Sequence, residues 1–196
     1  MGASQDNPSD ADLVRTVFEG NRGAYGTLVE RHLRSVFAVA ARILGNSAEA
    51  EDVAQETFLR ALERLYLYDL EQPFRNWLFK IATNLALNKL RAHKRERILH
   101  LRAAENRRSE GGAVDLDVPS PGQWRYWLEQ LDEPQRAAIV LFHFHDMPYT
   151  EIAEVLDVPV NTVRTHLHRG RRRLRDLMMH CQVPENGTWD IATPSS

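Results

Sequence analysis

The chain has 196 residues and a globular composition, with 43% hydrophobic and 27% charged residues. This length leaves room for one large or two small domains. No segment approaches the about 20 consecutive apolar residues that a membrane-spanning helix needs, and the N-terminal residues lack the basic and apolar regions of a signal peptide. Cys181 is the single cysteine, which excludes an internal disulfide, so a reducing, cytoplasmic location is expected.

The formal net charge is −2, but the basic residues are concentrated in two windows. Residues 75–97 carry 7 and residues 164–175 carry 6 of the 25 lysines and arginines, and Glu96 is the only acidic residue in either window. The rest of the chain holds 12 basic and 26 acidic residues. Two solvated helix faces are the alternative interpretation. A basic cluster in an acidic protein is typical of phosphate binding, so nucleic acid is the expected partner, with no small-molecule substrate.

Glycine, proline and charge divide the chain into two predicted domains, residues 10–102 and 123–180, between polar tails at 1–9 and 181–196. Residues 103–122 hold three of the ten glycines and two of the nine prolines and show no sustained apolar period, which predicts a flexible linker. Such a linker is not expected to fix the domains relative to each other, so two weakly coupled units are predicted. Neither domain shows an alternating strand pattern, and the predicted fold class is all-α.

In chain order, Asp10 is the predicted cap of a first helix that ends near Gly20. The second helix runs over residues 24–44, the third over residues 47–65, and a long fourth helix over residues 74–102. Apolar residues at spacings of three and four predict the buried stripe of the second helix: Tyr25, Leu28, Val29, Leu33, Val36, Phe37, Ala40 and Leu44.

In the second domain, Asp132 and Gln135 have the spacing of a capping box at the start of a helix. Periodicity and punctuation predict four helices, over residues 123–131, 133–145, 148–156 and 159–180.

The last two of these helices have the pattern of a helix-turn-helix. Ile152, Ala153 and Leu156 face inward on the first, Asp157 begins the turn, and the second has an inner stripe of Val160, Val163, Leu167, Leu174 and Leu177. Neutral donors for base edges and arginines for bases and phosphates suit a helix in the major groove. An ordinary amphipathic helix pair with an arginine-rich surface is the alternative. The predicted DNA-reading residues are Asn161, Arg164, Thr165, His168, Arg169 and Arg172.

The third predicted helix carries the run EDVAQETFLRA, which places an acidic and amide-bearing set on one face. The set consists of Asp52, Gln55, Glu56 and Leu59. Acidic residues on a helix surface are common, and composition alone favours a plain solvated face here.

The fourth predicted helix begins with the run FRNWLFKIATN. Leu78, Ile81 and Leu85 are predicted to face the core, whereas polar residues at spacings of four, three and four form a separate stripe. Such a stripe suits an unpaired strand, because cations hold the backbone, amides read base edges, and aromatic rings stack on bases at ~1–3 kcal/mol per base. Trp77 is equally compatible with a core anchor. The predicted strand-binding residues are Asn84, Asn88, Arg91 and Arg95, with Tyr68 and Trp77 as aromatic contacts.

Taken together, these motifs resemble extracytoplasmic-function sigma factors. YTEIA, PVNTVR and LHR resemble their region 4, EDVAQETFLRA their region 2.2, and FRNWLFKIATN their regions 2.3 and 2.4. The resemblance implies that the second helix of the helix-turn-helix reads the −35 element, and that Asp52, Gln55, Glu56 and Leu59 bind polymerase. It also implies that Asn84 and the loop of residues 66–73 capture a base flipped from the −10 element.

The partners that the resemblance implies are the RNA polymerase core, through its β′ clamp and β flap, promoter DNA, and an anti-sigma factor. The chain departs from the family pattern at a few positions. Pro148 replaces a serine cap, Asp157 and Asn161 replace glycines, and Thr165–His166 replaces a Ser–Arg pair. Aspartate tolerates the left-handed conformation, so the turn at Asp157 remains feasible. The changes on the reading face affect which −35 sequence is bound.

Three alternative interpretations fit the motifs less well. The His-x-His pairs at 143/145 and 166/168 point about 200° apart on a helix, so neither is expected to chelate a metal. No glycine-rich phosphate loop or Ser/His/Asp motif occurs, so neither an enzyme nor a cofactor is expected. A free-standing helix-turn-helix regulator is the stronger rival, but it has no use for a clamp-binding helix or a strand-melting surface.

Overall fold

The computed structural model describes residues 8–104 and 123–180, with the side chains of 97–104, 123 and 180 excepted. The predicted C-terminal tail, almost all of the predicted N-terminal tail and most of the linker therefore lie outside the described residues. Within the described ranges every regular element is helical and no strand occurs, which confirms the all-α fold class.

Eight α-helices and a 3₁₀ turn at Leu65–Leu67 make up the described chain. The N-terminal domain consists of α1 (Asp10–Phe18), α2 (Arg22–Leu44), α3 (Ser47–Glu63) and α4 (Phe74–Ala104). The C-terminal domain consists of α5 (Gln123–Glu129), α6 (Glu133–His145), α7 (Tyr149–Leu156) and α8 (Val160–His180).

The cap of α1 lies one residue earlier than the sequence predicts. Ser9, not Asp10, caps α1, and its hydroxyl accepts a hydrogen bond from the Asp12 amide at 3.1 Å. Asn46 caps α3 in the same way. The predicted capping box of α6 is absent, because the Gln135 amide donates to the Asp132 carboxylate at 3.0 Å instead of to the backbone.

The core of the N-terminal domain forms where α2, α3 and α4 each pack against the other two. Half of the predicted α2 stripe is buried and most of the rest is half-buried, but Leu33 is 42% exposed and the adjacent His32 is buried in its place. The reason is electrostatic: the Asp10 carboxylate lies 2.8 Å from Nε2 of His32, and the His32 ring packs on Phe74 at 5.6 Å. The prediction for Leu33 is therefore wrong, since a polar partner from α1 compensates the burial of the histidine.

The two domains pack against each other and share one hydrophobic core. Helix α6 contacts α2 and α4, and α7 packs along α4. This arrangement differs from the expectation of weakly coupled units. Residues Arg136–Leu141 are six consecutive buried positions, so α6 is covered around its whole circumference. A helix that is buried on all sides needs a packing partner on every side. The composition of the linker does not reveal whether the other domain supplies such a partner.

Two features are absent from the described ranges. No helix there combines the length and the apolar character that a membrane crossing needs. No three histidine, cysteine, aspartate or glutamate side chains there come together in a group able to hold a metal ion.

The interface between the domains can be tested by titrating the imidazole of His145. Burial, reinforced by the charges of Arg42 and Arg75 and opposed by Asp146, lowers the pKa of His145 to about 4. An NMR titration of the imidazole should therefore show a neutral ring down to about pH 5. Because histidine in an unfolded chain binds a proton near pH 6.5, the contribution of this site to stability should fall as the pH drops from about 6.5 towards 4. An ordinary pKa near 6.5 would show that the ring is solvated and the interface absent.

Candidate functional site

The helix-turn-helix is formed by α7, a three-residue turn and α8. Asp157 ends α7 in the left-handed conformation, with φ 55° and ψ 49°, and its amide donates to the Ala153 carbonyl. This sharp turn allows α8 to leave at a steep angle to α7 and to pack its inner stripe on the same core. Val163, Leu167 and Leu174 are buried as predicted.

The outer face of α8 is exposed along its length, and it includes all six predicted DNA-reading residues: Asn161, Arg164, Thr165, His168, Arg169 and Arg172. Two local bonds organise its N-terminal turns. The Thr165 hydroxyl donates to the Asn161 carbonyl at 2.9 Å, and Arg164 donates to the Asn161 side chain at 3.3 Å. The arginine forks and the hydroxyl and imidazole groups are thus presented outward, as major-groove contacts require.

The arginine run of α8 also contains one residue that turns inward. Arg171 donates to His143 at 3.3 Å and its guanidinium lies 4.8 Å from the centre of the Phe142 ring, which ties α8 to α6. Nearby, a Cβ on Gly170 would lie 3.0 Å from Ile139. Glycine at this position lets the two helices approach closely, so that the outer face of α8 stays clear.

The polar stripe of α4 is also exposed as predicted, with Asn84, Asn88, Arg91 and Arg95 on one side of the helix. Arg91 donates to the Asn88 side chain at 3.3 Å. Its guanidinium also lies 3.4 Å from the Glu133 carboxylate of the C-terminal domain. The stripe therefore runs up to the boundary between the domains.

A groove of about 250 Å³ opens beside this stripe, between α3 and α4. Asn84, Asn88 and Trp77 line one side of it. The groove is also lined by three cations that the sequence analysis did not predict, Arg60, Arg64 and Lys80. Their spacing contained the signal, because Arg60 and Arg64 are one turn apart on α3 and Lys80 lies one turn before Asn84. Amides, an indole and three cations around one groove can hold a planar, hydrogen-bonding ring next to a phosphate.

The loop before α4 does not place Tyr68 where the sequence predicts. Tyr68 is only 8% exposed, and its ring packs on Phe74 at 5.1 Å and on Trp77 at 5.3 Å. Its hydroxyl donates to the Gln72 carbonyl, and burial raises the pKa of Tyr68 to about 12. Tyr68 is thus a support that holds the loop rather than a stacking surface. Tyr66, which is 72% exposed, presents the free ring of this loop.

The predicted acidic set on α3 lies on the side of the helix that points away from the core. Asp52 and Gln55 are exposed, Glu56 is half-exposed, and Leu59 is 59% exposed. Leu62, which sequence reasoning left out, is 46% exposed on the same helix. Exposed leucines among carboxylates and an amide are typical of a protein-binding surface with an apolar centre and a polar rim. Glu56 is bonded to Arg60 at 2.6 Å, which connects this surface to the groove.

Comparison with known families matches both domains. Residues 28–96 match the model of Sigma-70 region 2 and residues 123–174 that of Sigma-70 region 4, which defines the chain as a protein of the sigma-70 class. The ECF RNA polymerase sigma factor SigW of Bacillus subtilis is 31% identical over 83% of this chain and 92% of that protein. The ECF RNA polymerase sigma-E factor of Escherichia coli is 30% identical over 85% of this chain and 92% of that protein. The chain belongs to the ECF RNA polymerase sigma factors, which act in transcription initiation.

Solved structures agree with this membership. CnrH, solved in complex with the cytosolic domain of CnrY, matches with a TM-score of 0.66 and 30% identity, over 89% of this chain and 99% of that chain. The sigma factor RpoE of Bartonella quintana, solved in complex with the anti-sigma factor NepR, matches with a TM-score of 0.61 and 21% identity, over 79% of this chain and 96% of that chain. The latter likeness shows the same fold. A free-standing helix-turn-helix regulator is ruled out by the family.

The left-handed turn residue of the helix-turn-helix gives a direct test of this geometry. Asp157→Gly should be neutral or slightly stabilising, whereas Asp157→Val should cost about 1–2 kcal/mol, because a β-branched side chain is strained at positive φ. Chemical unfolding of both variants measures the difference. Glu154→Val, at an exposed position within α7, is the matched control and should change stability by less than about 0.5 kcal/mol. Equal costs at 154 and 157 would contradict the turn.

Proposed function

We propose that this sigma factor binds the RNA polymerase core through the outer face of α3, opens promoter DNA with α4 and its groove, and reads the −35 element with α8. The observation that carries the proposal is the groove beside Asn84, since it adjoins the exposed α4 stripe on one side and the α3 face on the other. The domain bounds of this assignment are 10–102 for polymerase and −10 binding and 123–180 for −35 binding.

Polymerase binding is assigned to Asp52, Gln55, Glu56 and Leu59. Their support is exposure without a packing role, since the opposite side of α3 holds the buried residues of that helix. The surface pairs an apolar centre with acidic flanks, so it suits a basic-rimmed helical partner such as the β′ clamp. Contact of the C-terminal domain with the β flap is part of the same proposal.

Strand capture is assigned to Asn84, Asn88, Arg91, Arg95 and Trp77, and we include the exposed Tyr66 in place of the buried Tyr68. A base that leaves the stack enters the groove edge-on, meets the amides of Asn84 and Asn88, and lies against the indole of Trp77. The cations of the groove, Arg60, Arg64 and Lys80, are close enough to its rim to hold the flanking phosphates.

Duplex reading is assigned to Asn161, Arg164, Thr165, His168, Arg169 and Arg172. The protein is proposed to work in the cytoplasm, without enzymatic activity of its own, and to be controlled by an anti-sigma factor at a stress- or signal-responsive regulon. The complexes of CnrH and RpoE with partner proteins support this last point.

The polymerase-binding surface is tested by Gln55→Ala/Glu56→Ala. These side chains do little packing, so each change should alter stability by only about 0.5 kcal/mol while affinity for core polymerase falls. Polymerase pull-down and titration, with circular dichroism as a check on helix content, measure both. The control is Glu30→Ala, which removes a carboxylate at an exposed position of α2. Wild-type binding by the double variant would contradict the assignment.

The two DNA surfaces should fail in different ways. Arg169→Ala should weaken binding to −35 duplex and relax its sequence preference, a bidentate arginine contact being worth about 1–3 kcal/mol. Asn84→Ala should leave duplex binding almost unchanged and slow promoter opening. Gel shifts on −35 duplex and permanganate footprinting of the −10 region separate these outcomes. Identical defects in both assays would mean that the surfaces are misassigned.

A further inference from the structure

Among the described residues, four of the contacts between the two domains are a hydrogen bond, two ring contacts and an ion pair. Nη1 of Arg136 in α6 donates to the Ile43 carbonyl of α2 at 2.7 Å. The Arg42 guanidinium lies 4.6 Å from the centre of the Phe144 ring. The rings of Phe79 and His145 meet edge to face at 4.9 Å. The fourth contact is the ion pair of Arg91 with Glu133.

Arg136 is the buried centre of this interface. Ile43 is in the last turn of α2, where carbonyls have no partner within the helix and where the helix dipole favours a cation. The guanidinium supplies both a donor and a charge to that end from the other domain. Its Nη2 also donates to the Glu129 carbonyl at 2.9 Å, so one side chain fixes α5, α6 and the end of α2 together. Arg136 is therefore placed as a latch between the domains.

The α4 side of the interface is partly polar. Asn76, Phe79 and Thr83 recur at spacings of three and four and so share one stripe of α4, which Phe79 places against His145. Both amide atoms of Asn76 and the Thr83 hydroxyl are buried without a hydrogen-bond partner, as is Nε2 of His145. Such atoms have no protein partner in the docked form and gain access to bulk water when the domains separate. The stripe is thus suited to a contact that forms and releases.

The docked arrangement does not fit a promoter. The −35 and −10 elements are centred about 25 base pairs apart, which is ~85 Å along the duplex at ~3.4 Å per pair. Helix α7, which is joined to α8 by the three-residue turn, packs against α4, so the helix-turn-helix that carries the −35 reader is held on the helix that carries the −10 reader. Both reading faces are exposed in this form, but they are too close together to occupy both elements at once.

We propose that the free chain holds itself in a closed form, with Arg136 as the latch, and that assembly with core polymerase and promoter requires this latch to open. The inhibitory consequence rests on the proposed function. The α3 face stays exposed in the closed form, so polymerase can engage it first while the C-terminal domain is released. The energy of opening is then subtracted from the energy of assembly.

Two variants test the closed form without polymerase. Arg42→Ala/Glu133→Arg removes the contact with Phe144 and replaces the carboxylate partner of Arg91 with a second cation. Arg136→Gln removes the latch itself, and because Arg136 also supports its own domain, helix content is checked by circular dichroism. The matched control is Arg34→Ala/Glu154→Arg, with the same changes at exposed positions of α2 and α7.

Backbone ¹⁵N relaxation of the full chain is the measurement. The wild type and the control should show one correlation time for both domains, and the double variant two shorter and unequal ones at unchanged helix content. Separate correlation times in the wild type, or a single one in the double variant, would overturn the closed form.

Core polymerase titration then tests its consequence. If about a tenth of the free chain is open, the double variant should bind core about tenfold more tightly than the wild type. An opened variant with unchanged core affinity would overturn the inhibitory role. If the wild type, the control and the double variant all fail to bind core polymerase, the proposed function is overturned. The relaxation data still decide the closed form, because they do not depend on polymerase.

Discussion

Around the axis of α4 each residue turns by about 100°, so one helix has room for only three or four separate stripes. Three of them are in use. Leu78 and Ala82 are buried in the N-terminal core, Asn84 and Asn88 face the groove, and Phe79 meets the C-terminal domain. The rest of the structure depends on keeping these stripes separate. Helices α2 and α3 cover the core stripe and leave the groove stripe open, and any movement of the C-terminal domain uncovers the stripe that contains Phe79.

Polar contacts connect these surfaces in addition to the shared hydrophobic core. Glu56 on the polymerase-binding face is paired with Arg60 in the wall of the groove. Arg91 on the reading stripe is paired with Glu133 of the C-terminal domain. Occupying one surface therefore changes the charge available at its neighbour. Each pair is exposed enough to exchange partners.

Local pattern predicted a large part of this molecule. Helix periodicity gave the α8 outer face, the α4 stripe and the α3 face, because each depends only on spacing along one helix. The errors share a different cause. His32 is buried instead of Leu33 because a carboxylate from another helix compensates it, and Tyr68 is buried instead of Tyr66 because the loop folds back on Phe74 and Trp77. These choices depend on tertiary partners, as does the docking of the domains, and no periodicity within one segment contains them.

The most direct test of the account is the separation of the two domains in the free and the polymerase-bound protein. With Cys181→Ser to remove the native thiol, dyes on Glu19→Cys and Glu154→Cys would report energy transfer between the end of α1 and α7, both exposed sites. The account predicts efficient transfer in the free chain and a marked fall when core polymerase and promoter are added. Equal transfer efficiency in the two states would contradict it, because a chain that keeps its closed form cannot reach both promoter elements.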